Sequence, residues 1–215
     1  MKYDTILFDL DGTLTDPGVG ITNAVMHALG KRGIVETDRS KLYRFIGPPL
    51  IESFERFYGF THEEAVQGLA DYREYFGPKG IYENEVLEGV PEMLAALKAS
   101  GRKVVLATSK PEYYARQILE HFDLMRFFEG VHGATMDENR NLKAEVIAWA
   151  LAHTPGVGRA VMVGDRHHDV DGARANGIES IGVLFGYGSE EELRGAGATH
   201  LVKTVFELKK LLLED

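Results

Sequence analysis

Short apolar segments alternate with helical stretches through most of the chain. The segments that predict strands are Ile6–Phe8, Lys103–Ala107, Gly130–His132, Ala160–Val163, Ile178–Val183 and Thr199–Val202. Helices are predicted from about Pro111 to His121, over 142–152, from Asp169 to Asn176 and from Val205 to Leu213. Strands that are apolar throughout, separated by helices, are typical of a parallel sheet covered on both faces. The sequence therefore predicts an α/β fold with a doubly wound parallel sheet.

Residues 17–84 interrupt this alternation, because no strand is predicted there and the apolar residues follow a helical period. The helices predicted in this segment are Gly20–Lys31, Leu50–Tyr58 and Glu63–Phe76. An all-helical insertion after the first strand predicts a small second domain over 17–84. The α/β core then comprises residues 1–16 and 85–215.

Composition narrows the possible functions. The chain has 215 residues, with 24 Lys and Arg against 33 Asp and Glu, so its formal net charge is −9. This charge argues against binding to nucleic acid or to an anionic membrane. The absence of cysteine excludes disulfides and thiolate catalysis. With no secretion signal or membrane span in the sequence, we expect a cytoplasmic protein.

Carboxylates follow two of the predicted strands. Asp9 and Asp11 come directly after the first strand, and Asp165 and Asp169 follow Ala160–Val163. In a parallel sheet the carboxyl ends of the strands share one edge, so these four side chains are expected to converge. Buried acids without arginine partners are costly unless they bind a cation, and oxygen donors suit Mg²⁺.

Hydroxyl and ammonium groups are predicted at the same edge. Thr108, Ser109 and Lys110 follow the second predicted strand, and Lys143 opens a helix. Such groups bind the oxygens of a phosphate. Lys143 and Lys110 compete for this role; we favour Lys143 and expect Lys110 to be peripheral.

With these residues in place, the chain resembles the haloacid dehalogenase superfamily of phosphohydrolases. The resemblance rests on the Asp9–Thr13 segment (Asp-Leu-Asp-Gly-Thr), Thr108, Lys143, and Gly164-Asp165 with Asp169. It covers essentially the whole chain, and the helical insertion is similar to the cap domain of that family. The resemblance implies a phosphatase, and the similarity is greatest to phosphoglycolate phosphatases.

The resemblance also implies a mechanism through an aspartyl-phosphate. Asp9 is the implied nucleophile. Asp11 is the implied general acid and base, which protonates the leaving alcohol and then deprotonates water. Thr108 and Lys143 are implied to bind the transferring phosphoryl group.

A Mg²⁺ cofactor is implied on the same basis. The implied ligands are Asp9, the backbone carbonyl of Asp11 and Asp165, with Asp169 either a ligand or a partner of one. The residues expected to contact substrate are Gly12, Thr13 and Ser109, together with Arg44 and Gly47 in the helical segment.

The substrate stays open between several classes. Lys143 is followed by Ala144-Glu145-Val146 where phosphoglycolate phosphatases usually have Lys-Pro-x-Pro, and this variant is similar to relatives named 5′-nucleotidases. A phosphosugar mutase and a non-catalytic phosphate-binding module are further alternatives. We expect a small phosphorylated metabolite as substrate and a monomer or homodimer as the assembly.

Ten of the 21 aromatic residues fall within 17–84. Our interpretation is that most of them pack the small helical domain. A sharper hypothesis is that a few of them select the leaving group.

Overall fold

The computed structural model describes residues 2–137 and 139–214. Its strands are β1 Thr5–Phe8, β2 Thr15–Asp16, β3 Glu85–Val86, β4 Lys103–Pro111, β5 Gly130–Ala134, β6 Ala160–Gly164, β7 Glu179–Val183 and β8 His200–Val202. Its α-helices are α1 Gly18–Gly30, α2 Leu50–Tyr58, α3 His62–Phe76, α4 Val90–Ala99, α5 Glu112–His121, α6 Lys143–His153, α7 His167–Ala175, α8 Glu190–Ala196 and α9 Val205–Leu213. Short 3-10 helices lie at Arg39–Phe45, Gly80–Tyr82 and Met125–Phe127.

Six strands form one parallel sheet in the order β5-β4-β1-β6-β7-β8. Strand β1 lies at its centre and is buried along its whole length. Helices on the connections between strands explain why these strands are apolar throughout rather than alternating. The predicted α/β fold with a doubly wound parallel sheet is confirmed, and the carboxyl ends of β1, β4 and β6 lie side by side.

The chain divides into two compact units. One contains the residues up to Thr15 and from Val86 onward, and the other is Asp16–Glu85. The sequence prediction places the two boundaries one residue away from these, at 16/17 and 84/85. The short strands β2 and β3 pair with each other where the chain passes from one unit to the other.

The helical unit is packed largely by its aromatic side chains. Phe45 and Phe54 are fully buried, and their ring centroids are 5.2 Å apart in an edge-on arrangement. Phe60 stacks on Phe54 at 5.5 Å. Tyr43 and Tyr82 differ from these, because they are 41% and 47% exposed. Of the ten aromatic side chains in this segment, four are buried in the core of the unit: Phe45, Phe54, Tyr72 and Phe76.

The residues around Pro111 differ from the sequence prediction. Strand β4 was expected to end at Ala107, with Pro111 inside the first turn of the next helix. Instead β4 runs to Pro111, whose backbone is extended at φ −51° and ψ 128°, and α5 begins at Glu112.

The structure also contains α4, which was not predicted from the sequence, with a proline in its first turn. Among the described residues, no helix is both long and apolar enough to cross a membrane.

Candidate active site

The segment after β1 turns sharply and presents two acids. Asp9 and Asp11 are both buried, and the Asp9 N–H donates to the Val163 carbonyl at 2.9 Å. Gly12 has φ +77°, which favours glycine, and a Cβ there would lie 2.3 Å from Asp165 Oδ2. Glycine at this position therefore allows the backbone to approach Asp165.

Asp9, Asp165 and Asp169 form a buried carboxylate cluster, with one oxygen of each lying within 4.8 Å of the others. Asp165 Oδ2 accepts the Tyr187 N–H at 2.7 Å. Asp165 Oδ1 is buried and has no hydrogen-bond partner among the residues that the structure describes. A buried cluster of three carboxylates that includes an unpartnered oxygen is the arrangement expected of a cation site.

Lys143 lies between two of these acids. As the first residue of α6, it places Nζ 2.8 Å from Asp9 Oδ1 and 2.8 Å from Asp169 Oδ1. It also donates to the Ala107 carbonyl at 3.2 Å. Burial lowers the pKa of Lys143, but the charges of Asp169 and Asp9 outweigh burial and raise that pKa above its usual value. Lys143 is therefore a fixed positive charge.

Two of the acids in this crowded site have raised pKa values. Burial raises the pKa of Asp169 to about 6, although Lys143 opposes the shift. Burial, followed by the charges of Asp169 and Asp9, raises the pKa of Asp165 well above its usual range. Lowering these pKa values requires additional positive charge.

The charge balance indicates how much positive charge is needed. The carboxylates of Asp9, Asp11, Asp165 and Asp169 face the ammonium groups of Lys110 and Lys143. When all are ionised, this set has a net charge of −2. A divalent cation with a preference for oxygen ligands neutralises it, so the residues fit Mg²⁺.

Lys110 is part of the site, and the expectation that it is peripheral is wrong. Its Nζ lies 2.9 Å from Asp11 Oδ2, and its side chain is 4% exposed. Burial raises the pKa of Asp11, and the adjacent Lys110 charge only partly offsets this. The site therefore contains two buried lysines, each paired with a different member of the Asp9–Asp11 pair.

Strand β4 has a bulge at this position. Thr108 pairs with Gly133 of β5, but Pro111 pairs with Ala134, so β4 has two extra residues between them. The Lys110 N–H donates to the Thr108 hydroxyl at 3.2 Å within this bulge. Bulges beside active sites commonly redirect a side chain.

The remaining predicted substrate residues lie in different places. Ser109 lies in the β4 bulge and is partly buried, and Thr13 is buried in the turn after β1. Arg44 and Gly47 belong to the helical unit, where the Arg44 guanidinium lies 4.3 Å from the Phe57 ring centroid. Substrate contact by any of these residues stays a prediction.

Sequence reasoning assigned no role to the loop after β7. Its Tyr187 N–H binds Asp165 Oδ2, and its glycines approach the acid closely. A Cβ at Gly186 would lie 2.4 Å from Asp165 Cβ, and one at Gly188 would lie 1.9 Å from the Asp165 carbonyl oxygen. The Gly-Tyr-Gly spacing is the signal, because glycine is required where two backbones approach this closely.

Comparison with known proteins supports a family assignment. The family model described as haloacid dehalogenase-like hydrolase matches residues 6–183. A protein of Pseudomonas aeruginosa named 5′-nucleotidase is 44% identical over 99% of this chain and 96% of its own length. A Mycobacterium tuberculosis protein named tyrosine-protein kinase PtkA is 39% identical over 96% of this chain and 72% of its own length.

A solved structure is similar over nearly the whole chain. The crystal structure of a predicted phosphatase from Clostridium acetobutylicum superimposes with a TM-score of 0.95 and 45% identity. The match covers 99% of both chains.

Proposed function

Because the chain belongs to the haloacid dehalogenase-like hydrolase family, we propose that it is a Mg²⁺-dependent phosphatase of small phosphomonoesters. The observation that carries this proposal is the Asp9–Lys143–Asp169 arrangement beside an unpartnered Asp165 oxygen. It supplies a nucleophile, a fixed positive charge and a cation site in one buried cluster.

Asp9 is the proposed nucleophile. Its carboxylate is buried, and Lys143 at 2.8 Å fixes its position. An ester phosphate is itself an anion, so its approach to Asp9 requires nearby positive charge. Lys143 supplies part of that charge, and Thr108, which lies in β4 just before its bulge, is the proposed ligand of a phosphoryl oxygen. Attack by an Asp9 oxygen on phosphorus then yields an aspartyl-phosphate.

Asp11 is the proposed proton carrier. Burial keeps its pKa above the ordinary carboxyl value, which favours the protonated form needed to release an alcohol. Asp11 gives its proton to the leaving oxygen, and afterwards takes one from the water that attacks the aspartyl-phosphate. The enzyme ends the cycle in its starting protonation state.

The Mg²⁺ ion would be bound by Asp9, the Asp11 backbone carbonyl and Asp165, with Asp169 a ligand or a partner of one. When bound, it would neutralise charge on the carboxylates and on the phosphoryl oxygens. The net charge of −2 that the surrounding side chains have when all are ionised supports this part of the proposal.

Two substrate types are proposed for test. Phosphoglycolate is favoured by the motif pattern over most of the chain. A nucleoside 5′-monophosphate is favoured by the 44% identical relative named 5′-nucleotidase and by the residues that follow Lys143. Because that relative is similar over nearly its full length, we give the nucleotide equal standing with phosphoglycolate.

The experiment measures phosphate release over a panel of phosphomonoesters, with Mg²⁺ and with a chelator. The panel contains p-nitrophenyl phosphate, phosphoglycolate, 5′-nucleoside monophosphates, sugar phosphates and a phosphotyrosine peptide. We expect Mg²⁺-dependent hydrolysis of p-nitrophenyl phosphate and a preference of at least about tenfold for one natural substrate class. The proposal fails if no phosphomonoester is hydrolysed, or if the rate is unchanged by removal of Mg²⁺.

A further inference from the structure

The two oxygens of Asp11 have different surroundings. Oδ2 lies 2.9 Å from the Lys110 ammonium group. Oδ1 is buried and accepts no hydrogen bond from any residue that the structure describes. A free carboxyl group rotates and exchanges its oxygens, but an ion pair on one oxygen restricts that rotation.

The β4 bulge places Lys110 at this position. Two extra residues between Thr108 and Pro111 shift the strand relative to β5. The bulged backbone passes so close to β5 that a Cβ on Gly133 would lie 2.6 Å from both the Lys110 carbonyl oxygen and the Glu112 nitrogen. Glycine at 133 and the Thr108 hydroxyl together allow the backbone path on which Lys110 reaches Asp11.

Burial makes the Lys110–Asp11 ion pair hard to replace with water. The Lys110 side chain is 4% exposed and that of Asp11 is 10% exposed, so water does not substitute freely for either partner. A buried pair loses much more on removal of one partner than an exposed pair does. Lys110 and Asp11 are therefore expected to be held in one geometry.

From these contacts we propose that Lys110 is a positioning residue for the proton transfer. It holds Asp11 by Oδ2 and leaves Oδ1 as the oxygen that carries the proton. In the first half-reaction an Asp9 oxygen bonds to phosphorus, the ester P–O bond breaks, and the proton passes from Oδ1 to the departing ester oxygen. In the second half-reaction Oδ1 takes a proton from the water as the water oxygen bonds to phosphorus and the bond between phosphorus and the Asp9 oxygen breaks. This inference rests on the proposed phosphatase function.

The variant Lys110→Met tests the proposal, because it removes the ammonium group and keeps an unbranched side chain. The substrates are phenyl phosphate and p-nitrophenyl phosphate, compared by kcat/KM, which reports the steps up to departure of the leaving group. Phenolate is a poor leaving group and needs the proton, whereas p-nitrophenolate leaves without it. General acid catalysis is typically worth about 10² to 10⁴ in rate. We expect Lys110→Met to lose at least about tenfold more activity on phenyl phosphate than on p-nitrophenyl phosphate.

Three controls define the outcome. Lys210→Met, on the exposed part of α9, removes a lysine charge far from the acids in sequence and should leave the ratio unchanged. In an Asp11→Asn background, Lys110→Met should not change the ratio further. Lys110→Arg, which retains the positive charge, should recover part of the selectivity. If Lys110→Met does not fold, Lys110→Gln provides the same comparison.

Two results would overturn the proposal. Equal losses on both substrates would mean that Lys110 supports the fold or the phosphate rather than proton transfer. A change in the ratio that persists in the Asp11→Asn background would mean that Lys110 acts independently of Asp11. If the unmodified protein fails to hydrolyse p-nitrophenyl phosphate, the proposed function itself fails, so the two failures are distinguishable.

Discussion

The raised pKa of Asp169 predicts that the stability of the metal-free protein depends on pH. Burial raises its pKa from 3.8 to about 6, despite Lys143 at 2.8 Å. A carboxyl group whose pKa is higher in the folded state than in the unfolded state retains its proton longer in the folded state. The free energy of unfolding of the metal-free protein should therefore fall as the pH rises from about 4 to about 6. The difference between the two pKa values, at about 1.4 kcal/mol for each pH unit, corresponds to about 3 kcal/mol.

The variant Asp169→Asn tests this, because asparagine resembles the protonated acid and retains an acceptor for the Arg166 N–H at 3.1 Å. Without metal, we expect this variant to be more stable than the unmodified protein by about 3 kcal/mol at pH 7, and we expect the difference to vanish near pH 4. The assay is urea unfolding in chelator, followed by the fluorescence of Trp149, which is the only tryptophan and lies on α6 of the core unit.

Magnesium provides the internal check. A ligand at about 100 times its Kd stabilises the folded state by about 2.7 kcal/mol. We expect Mg²⁺ to stabilise the unmodified protein at pH 7 and to stabilise Asp169→Asn less. An equal difference in stability between the two proteins at pH 4 and at pH 7 would show that Asp169 does not cause this pH dependence. A greater stability of the unmodified protein at pH 7 without metal would show the same.

Other predictions concern individual groups of the site. Lys143→Met should lower kcat by about 10² to 10³, the usual cost of removing one preorganised electrostatic contact, as measured by phosphate release at saturating substrate; a loss below about threefold would contradict its role. Asp165→Asn should raise the Mg²⁺ concentration needed for half-maximal activity at least about tenfold. An unchanged concentration would exclude Asp165 as a ligand. Gly12→Ala should lower the thermal midpoint, because its Cβ would lie 2.3 Å from Asp165 Oδ2; an unchanged midpoint would contradict the close approach.

The sheet and its acids are well determined by local pattern. Apolar segments such as Ala160–Val163 predict buried parallel strands, and the rule that ligands bind at the carboxyl ends of such strands brings Asp9, Asp165 and Asp169 together. In the helical unit, the bounds of α2 match the prediction Leu50–Tyr58, because its turn signals are strong on both sides. Each strand, its following acid and each helix boundary can be recognised from residues that are close together in sequence.

The features that were missed depend on contacts between distant segments. Lys110 reaches Asp11 through a bulge that exists because Gly133 lets two strands approach, and nothing local to β4 indicates it. The Tyr187 contact uses a backbone N–H, which no side-chain pattern predicts. A strand predicted from its apolar residues has a regular backbone, so it does not locate a side chain that lies in a bulge.

In the proposed mechanism, Asp9 becomes phosphorylated during turnover. The most direct test uses Asp11→Asn with p-nitrophenyl phosphate and Mg²⁺, because this substrate needs no proton for its first step, whereas hydrolysis of the intermediate does need Asp11. We expect a burst of one equivalent of p-nitrophenol, with borohydride trapping and peptide mass analysis locating the modification at Asp9. A burst without modification at Asp9, or modification at another residue, would exclude Asp9 as the nucleophile.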